Sequence, residues 1–179
     1  MKKVLFVFVL LITLSCNSNK NQSLQKNDVK TWQIENYTNE WGEKENLSFV
    51  IGTFEGTFSN SVATDEPLKV ELLINKKDIS MYFYEYGHML QKSDGEAYIK
   101  VRDKDKNEDE ARYENYFRNG QLVLYGHSQA MVRKALLKGG RVMFKIIIRD
   151  NGILVGSYRF EVPKADGLKE TLAKTRYFK

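Results

Sequence analysis

The residues best suited to chemistry in this chain are oxygen donors in one short run. Asp103, Asp105, Asn107 and Asp109 recur at every second position, and Glu114 is the twelfth residue counted from Asp103. Alternating oxygens closed by a late Glu are how a loop wraps a hard cation such as calcium. Glu108 argues against that use, because it holds the sixth position, where a sharp turn calls for glycine. The flanks, YIKVR and ARYENYF, also read as strands and not helices. The first reading is therefore a charged hairpin tip, with the calcium loop as the lesser alternative. His88 and His127 are the only imidazoles, too few for a three-His zinc site. His127-Ser128 has the residue types of a hydrolase pair, yet no G-x-S-x-G elbow surrounds Ser128, which reads as a helix cap. Glu85 sits between Tyr84 and Tyr86 as a buried acid or an exposed neighbour. An acid pair such as Glu85 with Asp78 or Asp94 would be the arrangement for acid-pair hydrolysis. No P-loop, G-x-G-x-x-G turn or H-E-x-x-H helix occurs, so no catalytic residue is assigned and no cofactor is expected.

The single cysteine excludes an intrachain disulfide and a Cys-cluster metal site. Its position gives it another use. Met1-Lys2-Lys3 is a basic start, and residues 4–14 run apolar except for Thr13. Eleven helical residues cover about 16 Å, roughly half a bilayer core, so the segment is a signal peptide and not a span. Thr13-Leu14-Ser15-Cys16 resembles the lipobox of bacterial lipoproteins. That resemblance implies removal of residues 1–15, a diacylglycerol on the Cys16 thiol and an acylated new amino group. The motif departs once: Thr13 stands where Leu is usual. An ordinary secretory signal with a chance cysteine is the alternative. Acylation would remove a thiol that an exported chain rarely leaves free. Each buried methylene contributes about 0.8 kcal/mol, so two or three acyl chains anchor stably. Asn17 replaces the Asp that retains lipoproteins in the inner membrane. The expected address is the outer membrane, facing the periplasm, with the cell surface as alternative.

Residues 16–29 carry the lipidated Cys16 and a polar tether, NSNKNQSLQKND, that cannot build a core. Residues 30–179 read as one β-rich domain. Residues 30–37 carry alternating Trp32 and Ile34. Residues 47–58 switch apolar phase near Gly52, which suggests a bulge or bend. Residues 68–74 place Leu68, Val70, Leu72 and Ile74 on one face, and residues 79–86 return as a hairpin partner. Residues 97–101 and 112–118 flank the charged loop. Asn119-Gly120 signals a tight hairpin turn leading to residues 121–125. Met131, Val132, Ala135 and Leu136 share one face of a helix over 128–138, closed by Gly139-Gly140. Residues 141–148 and 154–162 form a last hairpin, and Asp166-Gly167 opens a second short helix. The expected fold class is mainly β, an antiparallel β-sandwich or partly open barrel with two short helices.

The formal charge is +5 with a pI near 9.1. Charge of that sign invites a nucleic-acid reading, which export of the chain removes. Charge is also uneven. Residues 16–110 hold 12 Lys+Arg against 18 Asp+Glu, and residues 111–179 hold 14 against 5. This is an interaction face or internal complementarity. Trp32, Tyr82, Phe83, Tyr84 and Tyr86 read as core more than as a binding face, and Trp41 as the likeliest exposed aromatic. Trp32, the Gly-Thr-Phe-Ser-Asn-Ser run over 56–61, Leu-Leu-Lys-Gly-Gly-Arg-Val over 136–142, Tyr-Arg-Phe-Glu-Val over 158–162 and Asp166-Gly167-Leu168 form an ordered pattern. It is similar to periplasmic β-sandwich proteins of the type VI secretion accessory and invasion-associated locus B kinds, and to small envelope lipoproteins. The resemblance implies a fold and no catalytic residues. The expected function is a non-catalytic, lipid-anchored binding or accessory protein, whose partners are the membrane through Cys16 and a protein or glycan of the envelope. The alternatives are an inhibitor or immunity-type protein acting through a charged face, or a hydrolase of an envelope polymer.

Overall fold

The computed structural model describes residues 31–89, 95–112, 116–118 and 121–175. The strands are β1 (Gln33–Thr38), β2 (Lys44–Asn60), β3 (Glu66–Ile74), β4 (Ile79–Glu85), β5 (His88–Met89), β6 (Gly95–Arg102), β7 (Glu108–Ala111), β8 (Tyr116–Arg118), β9 (Gln121–Leu124), β10 (Val142–Asp150) and β11 (Ile153–Val162). The helices are α1 (Gly126–Leu137) and α2 (Leu168–Ala173). Cys16, Asp94, Glu114, Asn119 and Gly120 lie outside the described residues.

Period-two alternation builds the wall. Leu68, Val70, Leu72 and Ile74 of β3 are buried, as are Ile79, Met81 and Phe83 of β4 and Ala97, Ile99 and Val101 of β6. Val142, Phe144, Ile146 and Ile148 of β10 face Tyr158, Phe160 and Val162 of β11 on the same side. Each inward set meets the others only if the sheet curls on itself. Pairing runs β2–β11–β10–β6–β8–β9–β4–β3, and β3 returns to β2, all antiparallel. Of the two expected architectures, this ring of pairings is the partly open barrel. Its thin seam is β6–β8, joined among the described residues only at Gly95↔Phe117 and Glu96↔Tyr116. Beyond it α1 packs on β6 and β7 through Ser128, Met131, Val132, Ala135 and Leu136. The apolar face read from the sequence is therefore the one α1 buries.

β1 lies outside the ring. Along one edge of β2, residues 44–51 pair with β1 and residues 56–60 pair with β11. Close approach of β11 at this handover excludes a side chain at Gly56, where a Cβ would lie 2.1 Å from the Arg159 carbonyl oxygen. Trp32, immediately ahead of β1, turns inward and meets Phe54 edge-on at 5.5 Å. Its indole N–H is the buried side-chain polar group without a partner among the described residues.

Three local expectations change. The apolar phase switch near Gly52 is not a bulge, because β2 stays in unbroken register with β3 from Val50↔Ile74 to Phe58↔Glu66. Phe49 is buried from outside by Tyr37, 4.8 Å away, while Val50, Phe54 and Phe58 point into the barrel. The strand after the charged loop begins at Glu108 and not at residue 112, since Glu108 and Glu110 stand opposite Arg102 and Lys100. Cross-strand ion pairs let a polar segment join the sheet. Ser128 is not the cap: α1 starts at Gly126 after Tyr125, and the Ser128 hydroxyl donates to the Tyr125 carbonyl at 2.7 Å.

Candidate functional site

The acidic run closes on a lysine. Asp103 Oδ1 accepts the backbone N–H groups of Asp105 and Asn107 at 2.9 and 3.0 Å, and Asn107 Nδ2 donates to Asp103 Oδ2 at 3.2 Å. This is a self-bonded turn between β6 and β7. Lys138, at the C-terminal end of α1, sets its ammonium 2.5 Å from Asp103 Oδ2 and 2.6 Å from Asp105 Oδ2. The Lys138 ammonium holds the Asp103 carboxyl down at about 2, with the Asn107 donors adding to the effect. The two carboxylates raise the Lys138 pKa in return. Asp109 turns away, accepting from the Glu110 N–H and standing 4.0 Å from His127 Nε2. Among the described residues no group of three or more His, Cys, Asp or Glu side chains is arranged to hold a metal ion. His88 lies on β5 and His127 on α1.

Glu85 is a half-buried acid at the end of β4, and its partner is a phenol. The Tyr158 hydroxyl donates to Glu85 Oε1 at 2.8 Å, and Asn60 Nδ2 donates to Oε2 at 3.4 Å. Tyr158 is 1% exposed, with its ring 4.9 Å from that of Phe83. Burial and then the Glu85 carboxylate push its hydroxyl far above the ordinary phenol range. The hydroxyl thus keeps its proton and acts as a hydrogen-bond donor to Glu85. Asp78 lies at the opposite end of β4, seven residues away, or about 23 Å along an extended strand. A paired-carboxylate hydrolase needs its acids within about 10 Å. Glu85 and Asp78 do not meet that geometry.

A concave surface lies outside the barrel. A groove of about 510 Å³ crosses the outer face of β2, β11, β10 and β6. Met143, 37% exposed, lies in it between charged neighbours, and Gly56 is part of its lining. The sheet register sets one row across it: Thr57, Arg159, Lys145 and Lys100 stand directly opposite one another on successive strands. Like charges placed opposite in a sheet are unfavourable. Glu108 relieves one end, pairing with Lys100 at 2.7 Å and with Arg102. Those pairs lower the Glu108 pKa and raise that of Lys100. Arg141 pairs with Glu161 at the groove's edge. Among the described residues Arg159 has only Asp65, at 3.8 Å, with both side chains more than half exposed. Lys145 has no acidic partner within salt-bridge distance among the described residues.

No protein family, curated protein or solved structure matches the chain. The site therefore rests on its own geometry. Sequence reasoning missed the row, although two of its cations, Lys145 and Arg159, belong to the basic excess over residues 111–179. Only the register of three strands puts Lys100, Lys145 and Arg159 side by side. The aromatic expectation divides. Phe83 and Trp32 are core, Trp41 is 79% exposed and Tyr86 59% exposed. Tyr84 is half-buried outside, donating to Glu71 at 2.7 Å beneath the Lys69 ammonium. No described helix is long and apolar enough to cross a membrane.

Proposed function

We propose that this protein is a non-catalytic binding or accessory module of the cell envelope, anchored through acylated Cys16 in the outer membrane and facing the periplasm. The observation that carries the binding half is the placement of polarity. Inside the ring, apolar side chains fill the space and the Glu85–Tyr158 pair is mutually satisfied. Outside, a groove presents an incompletely neutralised row of cations. A surface of that kind suits holding an anionic ligand. The anchoring half draws on Lys2-Lys3, the apolar run and the lipobox-like Leu14-Ser15-Cys16. The resemblance to small envelope lipoproteins adds to it.

The test is capture of the protein from membranes, with mass spectrometry of its N-terminus and of whatever co-purifies. Cleavage before Cys16 and two or three acyl chains are the expected result. An unmodified Cys16 or a retained Met1 overturns the anchor. The basic row also suits an inhibitor-type protein. That reading expects one stoichiometric acidic protein partner, released by salt.

A further inference from the structure

The groove, the row and the point where the chain enters the fold lie on one side of the barrel. Residues ahead of Thr31 reach the fold at Trp32, just before Gln33 pairs with Ile51 of β2. Glu55, at the rim of the groove, is four residues further along β2, about 13 Å at strand rise. On the lipid-anchored reading, on which this inference rests, a tether of 12 residues, 17–28, spans about 20 Å r.m.s.. A domain of about 150 residues has a radius of gyration of about 15 Å. A leash that short holds its own side of the barrel toward the bilayer.

We infer that this outer face of β11, β10 and β6 docks on the anionic phospholipid headgroups of the membrane that carries the anchor. The charge account supports a headgroup over a highly charged polymer. Lys100, Arg102, Lys145 and Arg159 along the groove stand against Glu55, Glu108 and Glu161, which leaves a net charge of one, and adding Arg141 at the edge together with Asp65, the partner of Arg159, leaves it unchanged. Arg159 and Lys145 are the two cations whose charge is least neutralised by neighbours, and they are adjacent across the β10–β11 ladder. Two neighbouring cations over a recess with an apolar Met143 match a phosphate with its glycerol below. Because the anchor already fixes the protein at the surface, the face sets orientation and not residence. The groove then meets lipid, and the far side of the barrel meets the periplasm.

The experiment uses the full chain carrying Cys16→Ser, so that no acyl chain contributes. Its co-flotation is measured with vesicles of phosphatidylglycerol and phosphatidylcholine in equal parts, and with phosphatidylcholine alone. The apolar leader contributes equally to every variant, and subtracting the neutral vesicles removes it. Binding to the anionic vesicles is expected, and it should fall as salt rises. Each basic residue near such a surface is worth about 1 kcal/mol, or roughly fivefold in partition. Lys145→Gln with Arg159→Gln should therefore weaken binding about thirtyfold. Lys77→Gln with Lys134→Gln, which removes equal charge elsewhere, should leave it within about twofold. Melting curves show that both pairs fold. Equal flotation on both vesicle types, equal loss in both variant pairs, or concentration-dependent self-association in place of flotation would each overturn the inference. N-terminal mass spectrometry of the wild-type protein decides the anchor separately, so failure of docking with an acylated Cys16 counts against this inference alone.

Discussion

Tyr158→Phe removes a single oxygen from the barrel interior and leaves the ring contacts with Phe83 and Phe58 in place. What it takes away is the 2.8 Å hydrogen bond to Glu85 Oε1. A bond to a charged group contributes about 1.5–3 kcal/mol, and Glu85 is half-buried, so about 2 kcal/mol is expected. For a domain of this size that lowers Tm by roughly 4–8 °C. The assay is thermal and urea unfolding of the wild type, Tyr158→Phe, Glu85→Leu and the double variant. In the Glu85→Leu background the hydroxyl has lost its acceptor, so removing it should cost little, and the cycle should return a coupling of about 1–2 kcal/mol. The pH dependence carries a sign. Burial raises the Tyr158 pKa above its ordinary value of 10.0 in the folded state. Its contribution is therefore complete below pH 10 and is lost as pH rises further, at about 1.4 kcal/mol per pH unit, because only the unfolded chain ionises there. Tyr158→Phe should flatten that alkaline decline. A Tm change under about 1 °C, or an equal cost in both Glu85 backgrounds, would refute the role given to this pair.

Gly56→Ala should destabilise by about 3 kcal/mol or more, because its Cβ meets the backbone of Arg159 and Phe160 and not a side chain that can swing aside; urea titration measures the loss, and a wild-type midpoint would contradict the close approach of β2 and β11. Lys138→Met should return the Asp103 carboxyl from about 2 toward its ordinary 3.8, as read by carboxyl-carbon NMR. The lowered pKa means that the contribution is present above about pH 4 and lost as pH falls toward 2, so the variant should show a shallower acid decline. Calcium added to the wild type should not shift the melting midpoint, since Lys138 already occupies both Asp103 and Asp105; a shift reversed by chelator would restore the calcium loop.

Strands whose two faces differ were legible at once. β3 alternates Leu68, Val70, Leu72 and Ile74 against Lys69 and Glu71, and the same count recovers the buried face of α1. What stayed hidden depends on partners distant in sequence. Glu108 and Glu110 have poor strand preference and enter β7 because Arg102 and Lys100 await them across the ladder. Phe49 and Val50 are both buried, on opposite faces, because Tyr37 covers one side of β2. The hydroxyl of Ser128 looks like a cap until Tyr125 is seen to extend the helix by a partial turn. The candidate groove was least legible. Its row depends on the register of β6, β10 and β11 together.

The placement of β1 off the ring has a mechanical consequence. Any pull on the chain ahead of Trp32 is borne first by β1, whose ladder runs to β2 and whose Tyr37 hydroxyl accepts a hydrogen bond from Asn75 Nδ2 at 3.1 Å, and by the Trp32 ring wedged against Phe54. Along β2 the next neighbour is β11, held on its other side by nine register pairs with β10. Load therefore strips one peripheral strand and stops where the closed wall begins. The first segment behaves as a fuse that yields under tension while the part that carries the groove keeps its shape.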